Sequence, residues 1–487
     1  MTSVAKIDRA QRNVALLVAG CFFMEMLDGT IVTTSAPKIA HSLHVPVGSI
    51  ALVITAYMIT LAVLIALSGW MAARFGGRRT FLAAIALFTL ASVGCAASTT
   101  FPELVVMRVL QGVGGAMMVP VGRLVVLAPS RPANLMRLTA LLVWPGLIAP
   151  VIAPLAGGLI TTYASWHWLF LINLPLGLIA LCLALRLVHP PALTDPGRLD
   201  VAGALLTSLG LGGLTFTAAL LAKLRIDWTP VAAIAVPSLV LLAAAVVHLL
   251  RVSVPLIDLR LTRIPSFRSA LTGSGFHFTA QSASPFLAPL LFLQVFHWSA
   301  VKSGAIVLFI FVGNLGAKSV TTRLYSRLGF RRVIAAASAG LGLSLVLLGV
   351  VGTSTPVVVL ALILLLNGIG RSIGATGYST VIFSDVPGSD MRHANTLMIT
   401  VQVLAATLGV AGAAIALRLG EPIASLFGVS NSTHVTYTVA FLMVACVALL
   451  STVEALRMHP NSGDALRGDH ASAAEPQPAS EPQPATR

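Results

Sequence analysis

Apolar runs of about twenty residues, separated by clusters of glycine, proline and arginine, recur along nearly the whole chain. A helix rises about 1.5 Å per residue, so such a run is long enough to cross the roughly 30 Å hydrocarbon core of a bilayer. The runs predict fourteen spans, at about residues 12–36, 48–70, 80–98, 102–122, 135–161, 167–187, 200–222, 230–250, 268–296, 301–322, 332–351, 355–380, 393–418 and 435–456. The expected fold class is an all-α polytopic membrane protein. The first run follows Lys6, Arg9 and Arg12 and itself contains acids, which predicts a retained helix and not a cleaved signal.

Composition agrees. With 57% hydrophobic and only 10% charged residues, 487 residues exclude a soluble protein of this size. The net charge of +15 raises a nucleic-acid partner, but its distribution argues against one. Arginines collect in every second loop: Arg74, Arg78 and Arg79; Arg123, Arg131 and Arg137; Arg251, Arg260, Arg263 and Arg268; Arg323, Arg327, Arg331 and Arg332. The loops between hold little beyond Lys38, Lys223, Arg225, Lys302 and Arg418. This asymmetry predicts both termini in the cytoplasm of a multi-pass protein of the inner (plasma) membrane, with anionic lipid as the partner of the basic loops. Cys21, Cys95, Cys182 and Cys446 lie in apolar runs without CxxC spacing and read as small core residues.

Two motifs recur. RFGGRR, Arg74 to Arg79, follows the second run, and RLGFRR, Arg327 to Arg332, follows the tenth, 253 residues later. QGVGGA, Gln111 to Ala116, lies in the fourth run and NGIGRS, Asn367 to Ser372, in the twelfth, 256 residues later. Near-equal offsets in equal orientation predict two parallel six-helix bundles related by an axis along the membrane normal. The expected organisation is a cytoplasmic N-terminus over 1–11, an N-terminal bundle over 12–187, a linker with two inserted helices over 188–267, a C-terminal bundle over 268–456 and a disordered tail over 457–487, where EPQPA occurs twice.

Glu25 and Asp28 stand out because they interrupt the first apolar run. Three residues apart, they lie one above the other on a helix with about 4.5 Å of rise between them. An acid at that depth costs about 2.5 to 3.5 kcal/mol on insertion scales, which points to a proton or cation site. Arg108, inside the fourth run, is the natural partner, since an unpaired guanidinium there is equally expensive. A carboxyl alone in an apolar cavity holds its proton tightly and a nearby guanidinium loosens that hold, so motion that changes their distance switches proton affinity. An arriving cation would stabilise the charged carboxylate and expel its proton.

LDGTIVTTSAP (Leu27 to Pro37), RVLQGVGGA (Arg108 to Ala116), WHWLFLINLPLG (Trp166 to Gly177) and PLIDLRL (Pro255 to Leu261) together resemble the major facilitator superfamily, and within it the fourteen-span drug:proton antiporters of the EmrB/QacA type. The resemblance covers about residues 12–456 and implies two bundles that alternately open a central cavity to either side of the membrane. It implies a role in proton transfer for Arg108, favours Asp28 over Glu25 as the exchangeable acid, and leaves Glu25 as an accessory cation contact. APVIAPLAGG, Ala149 to Gly158, resembles the antiporter signature with both leading glycines replaced by alanine; Pro150, Pro154, Gly157 and Gly158 would make a tight, bendable helix, or an ordinary small-residue interface. GWMAARFGGRR resembles the cytoplasmic gate motif, with Gly69, Arg74, Gly76, Arg78 and Arg79 in place and Ala73 where an acid is usual; Arg327, Gly329, Arg331 and Arg332 repeat it.

Gln111, Asn173, His277, Gln281, Gln294, Asn367 and Arg371 are candidate contacts of a substrate cavity, the uncharged ones equally explicable as interhelical hydrogen bonds. His277 and Arg371, if they face the cavity, leave room for anionic or zwitterionic cargo. GNLGAKS, Gly313 to Ser319, lacks the Gly-Lys step of a phosphate loop, and neither metal-ligand spacing nor a nucleophile elbow occurs, so an enzyme, a cofactor and a metal are not expected. The expected function is a proton-coupled exporter of small amphipathic or cationic compounds. Its partners are the small-molecule substrate, protons and lipids, not nucleic acid, with room for a periplasmic adaptor and an outer-membrane channel. A proton-coupled symporter or exporter of a metabolite or anion, and a non-transporting membrane sensor, are the alternatives.

Overall fold

A computed structural model describes residues 8–46, 49–130, 132–188, 198–221, 228–426, 433–459 and 462. Lys6, Arg131, Lys223, Arg225 and the EPQPA repeats lie outside them. The chain forms α1 (Arg9–Ser42), α2 (Ile50–Ile65), α3 (Ser68–Phe75), α4 (Gly77–Ala97), α5 (Phe101–Leu127), α6 (Pro132–Tyr163), α7 (Trp168–Leu171), α8 (Asn173–Leu187), α9 (Val201–Leu221), α10 (Trp228–Arg251), α11 (Pro265–Gln294), α12 (Ala300–Leu328), α13 (Phe330–Val350), α14 (Val357–Val381), α15 (Met391–Leu426) and α16 (Thr433–Arg457). Each expected span has its helix, the second as α2 and α3 meeting at 60° and the sixth as α7 with α8. Eleven of the described helical stretches are long and apolar enough to cross a membrane, twelve with the bent pair; α11, with Ser, His and Gln along its length, is not among them.

The repeated motifs do the same work in both halves. Gly76 and Gly329 take φ of 84° and 80°, a region that L side chains rarely occupy, and so turn α3 into α4 and α12 into α13. A Cβ on Gly112 would lie 3.0 Å from the Tyr57 carbonyl of α2, and one on Gly368 would strike the Ile310 carbonyl of α12. Gly114 meets the Phe88 backbone of α4 as Gly370 meets the Ala337 carbonyl of α13. Glycine thus brings α5 and α14 against two neighbours at backbone distance, as small residues do in membranes. A capping box of Thr100 and Glu103 sets where α5 starts, Thr100 N donating to Glu103 Oε2 at 3.1 Å, and fixes Arg108 in its second turn.

α1–α8 pack on one side and α11–α16 on the other, and α6 reaches across to α12 and α14. The seam also closes at the arginine-rich end. There Arg123 Nη2 donates to the Ser379 carbonyl and Asn395 Nδ2 to the Pro120 carbonyl, both at 3.4 Å, while Gly69 lies against Thr396. The inserted α9 packs on α2, where Ser208 Oγ donates to the Val63 carbonyl, and on α15, where Thr215 and Thr407 hydroxyls meet at 3.4 Å. α10 packs on α9 and is largely exposed, as a lipid-facing helix would be. Cys21 and Cys95 are buried as expected, but Cys182 and Cys446 are exposed: they fall on faces of α8 and α16 turned away from the bundle.

Candidate functional site

Asp28 of α1 and Arg108 of α5 are both 0% exposed, and Arg108 Nη1 donates to Asp28 Oδ2 at 2.5 Å. Asp28 Oδ1 accepts from Gln111 Nε2 at 2.8 Å and from Asn173 Nδ2 at 2.9 Å. The carboxylate is therefore held by one charge and two neutral amides, the arrangement that makes a buried ion tolerable. Arg108 Nη1 also donates to Gln111 Oε1 at 2.7 Å and Nε to the Val53 carbonyl of α2 at 3.3 Å. Its Nη2 has no hydrogen-bond partner, but the guanidinium carbon lies 4.3 Å from the Tyr57 ring centroid, a cation–π contact. Ser92 of α4 accepts from Gln111 at 2.7 Å and from Asn173 at 3.3 Å. Five segments thus converge on one pair. Glu25, a turn away, is buried with Oε2 unpartnered.

In the second half the equivalent place is neutral. Asn367, 256 residues after Gln111, donates to Ser284 Oγ at 3.3 Å and Ser344 Oγ at 2.9 Å. Ser284 stands 256 residues after Asp28, and Leu364 stands 256 after Arg108.

The Major Facilitator Superfamily model matches residues 18–410. The chain belongs to the major facilitator superfamily. It is 34% identical over 439 residues to the "Putative multidrug resistance protein MdtD" of Salmonella typhimurium, covering 90% of this chain and 93% of that protein, and equally to that of Salmonella heidelberg. Among solved structures it resembles the human organic anion transporter MFSD10 (TM-score 0.65, 14% identity, 92% of this chain and 100% of that one). It also resembles the proton:xylose symporter XylE (TM-score 0.62, 14% identity, 93% and 97%). The two structural likenesses show the fold.

The structure distributes the expected cavity residues of this superfamily member unevenly. Gln111 and Asn173 serve Asp28. His277 is enclosed in the second bundle, with Nδ1 3.2 Å from Ser338 Oγ and its ring beside Tyr378; it fills the space left by Gly374. Asn367 is likewise internal. Gln294 is exposed at the end of α11 and accepts from Tyr437 of α16 at 2.9 Å. Arg371 Nη1 donates to the Gln281 carbonyl, which ties α14 to α11. Of the gate residues, Arg78 donates to the Leu185 carbonyl of α8 at 2.7 Å, whereas Arg74, Arg79, Arg327 and Arg332 are exposed and Arg331 is half-buried. Pro150, Pro154 and Gly158 lie on α6 with side chains outside the description; Gly157 beside them is buried. Sequence reasoning missed Ser92, Tyr57 and Lys318. An ordinary Ser or Tyr in a span carries no signal, but Lys318, a cation inside the tenth run, did.

Proposed function

We propose that this chain is a proton-coupled secondary active exporter, a drug:proton antiporter that moves small amphipathic compounds out of the cell by alternating access. The observation that carries the reading is the Asp28–Arg108 pair, a buried acid kept inside a membrane-spanning bundle and held by donors from α5 and α8. Asp28 carries the exchangeable charge and Arg108 tunes it. With the pair closed the site is electroneutral; with the helices parted the carboxyl is drawn to take a proton. Asp28 has no exposed surface in this conformation, so a substrate acts on it by moving α1 against α5 and not by touching it. Membership of the superfamily and the name of the relative support export of small molecules.

With the arginine-rich end taken as cytoplasmic, the Arg123 and Asn395 contacts close the cytoplasmic side of the seam. α6 touches α1 on one side and α12 and α14 on the other, so a shift of the proton-carrying helix reaches the opposite bundle directly. The test is Asp28→Asn, reconstituted in proteoliposomes with an imposed pH gradient. The variant should insert and bind substrate but lose proton-driven flux, and flux equal to that of the unchanged protein would overturn the assignment.

A further inference from the structure

We propose that Lys318 and Arg371 form a recognition site for an anionic group, so that the preferred cargo is an amphipathic organic anion carrying a carboxylate or sulfonate. The proposal rests on the transporter reading above and specifies the charge of what is carried.

In the second bundle two cations stand away from the ends of their expected spans, Lys318 in α12 and Arg371 in α14. From Leu259 to Ser384 the chain holds no Asp or Glu, so four consecutive spanning helices offer them no counter-charge. Their hydrogen-bond acceptors are neutral: Lys318 Nζ donates to Thr376 Oγ1, and Arg371 Nη1 to the Gln281 carbonyl. Arg371 is nine-tenths buried and its Nε has no partner. Cations at this depth are costly unless an anion meets them. Arg108, the third, meets Asp28; these two await a charge from outside the bundle.

The surroundings supply donors in one place. Around α14 at about 100° per residue, Ser372 lies between Arg371 and Thr376, the residue that holds Lys318, and Arg371 and Thr376 are separated by about 7.5 Å of rise. Ser372 Oγ is buried without a partner, and so is Asn314 Oδ1, one turn before Lys318 on α12; an amide turned about its last bond would present its NH2 instead. α12 and α14 are also the helices that α6 of the first bundle touches. A planar guanidinium on one side, an ammonium on the other and a hydroxyl between them suit a carboxylate or sulfonate, while a cation would meet only repulsion there.

The experiment measures equilibrium binding to the purified full-length protein. The probes share a naphthalene ring: 1-naphthoate and naphthalene-1-sulfonate as anions, 1-naphthamide as the neutral match and 1-naphthylmethylammonium as the cation. At least one anion should bind ten times or more tightly than the amide and the ammonium. Lys318→Gln and Arg371→Gln should each weaken the anion tenfold or more and leave the amide unchanged, while Lys318→Arg, which keeps the charge, should retain binding. The measurement is made at equilibrium without a proton gradient, which separates this site from the proton site: failure of proton coupling leaves the binding result standing. Anions that bind no better than the amide, or that do not bind at all, overturn the proposal. So does anion binding unchanged in both glutamine variants.

Discussion

Removing one member of the Asp28–Arg108 pair should not cost the same as removing the other. Asp28→Asn strands a guanidinium that is wholly buried and already has one nitrogen without a hydrogen-bond partner. Breaking a buried pair from one side costs about 3–5 kcal/mol, and a guanidinium cannot escape by losing its proton. That loss should be the same at pH 5 and pH 7. Arg108→Gln instead strands a carboxylate, which can take up a proton. Starting from an aqueous carboxyl near 3.9, this costs about 1.36 kcal/mol per pH unit, which caps the destabilisation at about 4 kcal/mol at pH 7 and about 1.5 kcal/mol at pH 5. Arg108→Gln should therefore become less harmful as pH falls, and the double variant, with Asn at 28 and Gln at 108, should recover most of the stability at both pH values. A thiol-reactive fluorophore can follow thermal unfolding, since Cys21 and Cys95 are buried and become reactive only on opening, above a constant background from Cys182 and Cys446. Parallel pH profiles for the two single variants, or a double variant as unstable as the worse single one, would refute the account of the pair.

Three further outcomes follow from the packing. A Cβ built on Gly69 lies 3.5 Å from the Thr396 Cβ, within disulfide range, so Gly69→Cys with Thr396→Cys should cross-link on oxidation and arrest transport, with flux restored by reductant; full flux with the bridge formed would mean this end of the seam need not open. Gly368→Val drives a side chain into the Ile310 carbonyl and should sharply reduce folded yield, whereas Gly304→Ala, with open space around it, should be silent; size-exclusion profiles compare them. At Asp200, which precedes the spanning helix α9, burial opposes ionisation, but the Gly203 N–H, His248 and the Leu256 N–H outweigh it and hold the carboxyl below its usual range. A depressed carboxyl stabilises above its unfolded value near 3.9 and loses that contribution as pH falls through its folded value, so Asp200→Asn should flatten the acid limb of a thermal-stability profile below about pH 4.

Much of this was legible from the cost of placing charge in oil. The spans follow from apolar length, the parallel halves from paired offsets, and the Asp28–Arg108 contact from the need of each for the other. What stayed hidden was direction around each helix. Gln111, Asn173 and Asn367 are polar groups at the right depth, but depth does not say whether a side chain points into its own bundle or toward the seam, and all three point into their own bundles. The bend between α2 and α3 was equally silent, since neither Ala66 nor Leu67 marks it. Lys318 is obscured for another reason: the glycines of GNLGAKS around it mimic a phosphate loop, although a cation in an apolar run carries the same signal as Arg108.

The two bundles share a scaffold and differ in charge, and that difference bears on mechanism more than either half does alone. An amide on α5 or α14 meets a serine on the preceding helix in both, Gln111 with Ser92 and Asn367 with Ser344. In the first bundle the third position is Asp28, answered by Arg108; in the second it is Ser284, and Leu364 stands at the position that corresponds to the arginine. A duplicated framework can thus hold its helices together with neutral hydrogen bonds, so the acid and the arginine are not required for packing. On the proposed mechanism, their presence in one bundle only would let a proton at Asp28 change the charge of that bundle while the other stays as it was. Lys318 and Arg371 complete the asymmetry from the opposite side. On the mechanism proposed above, one bundle would alter its charge while the other keeps Lys318 and Arg371, so the two halves would answer a bound anion differently.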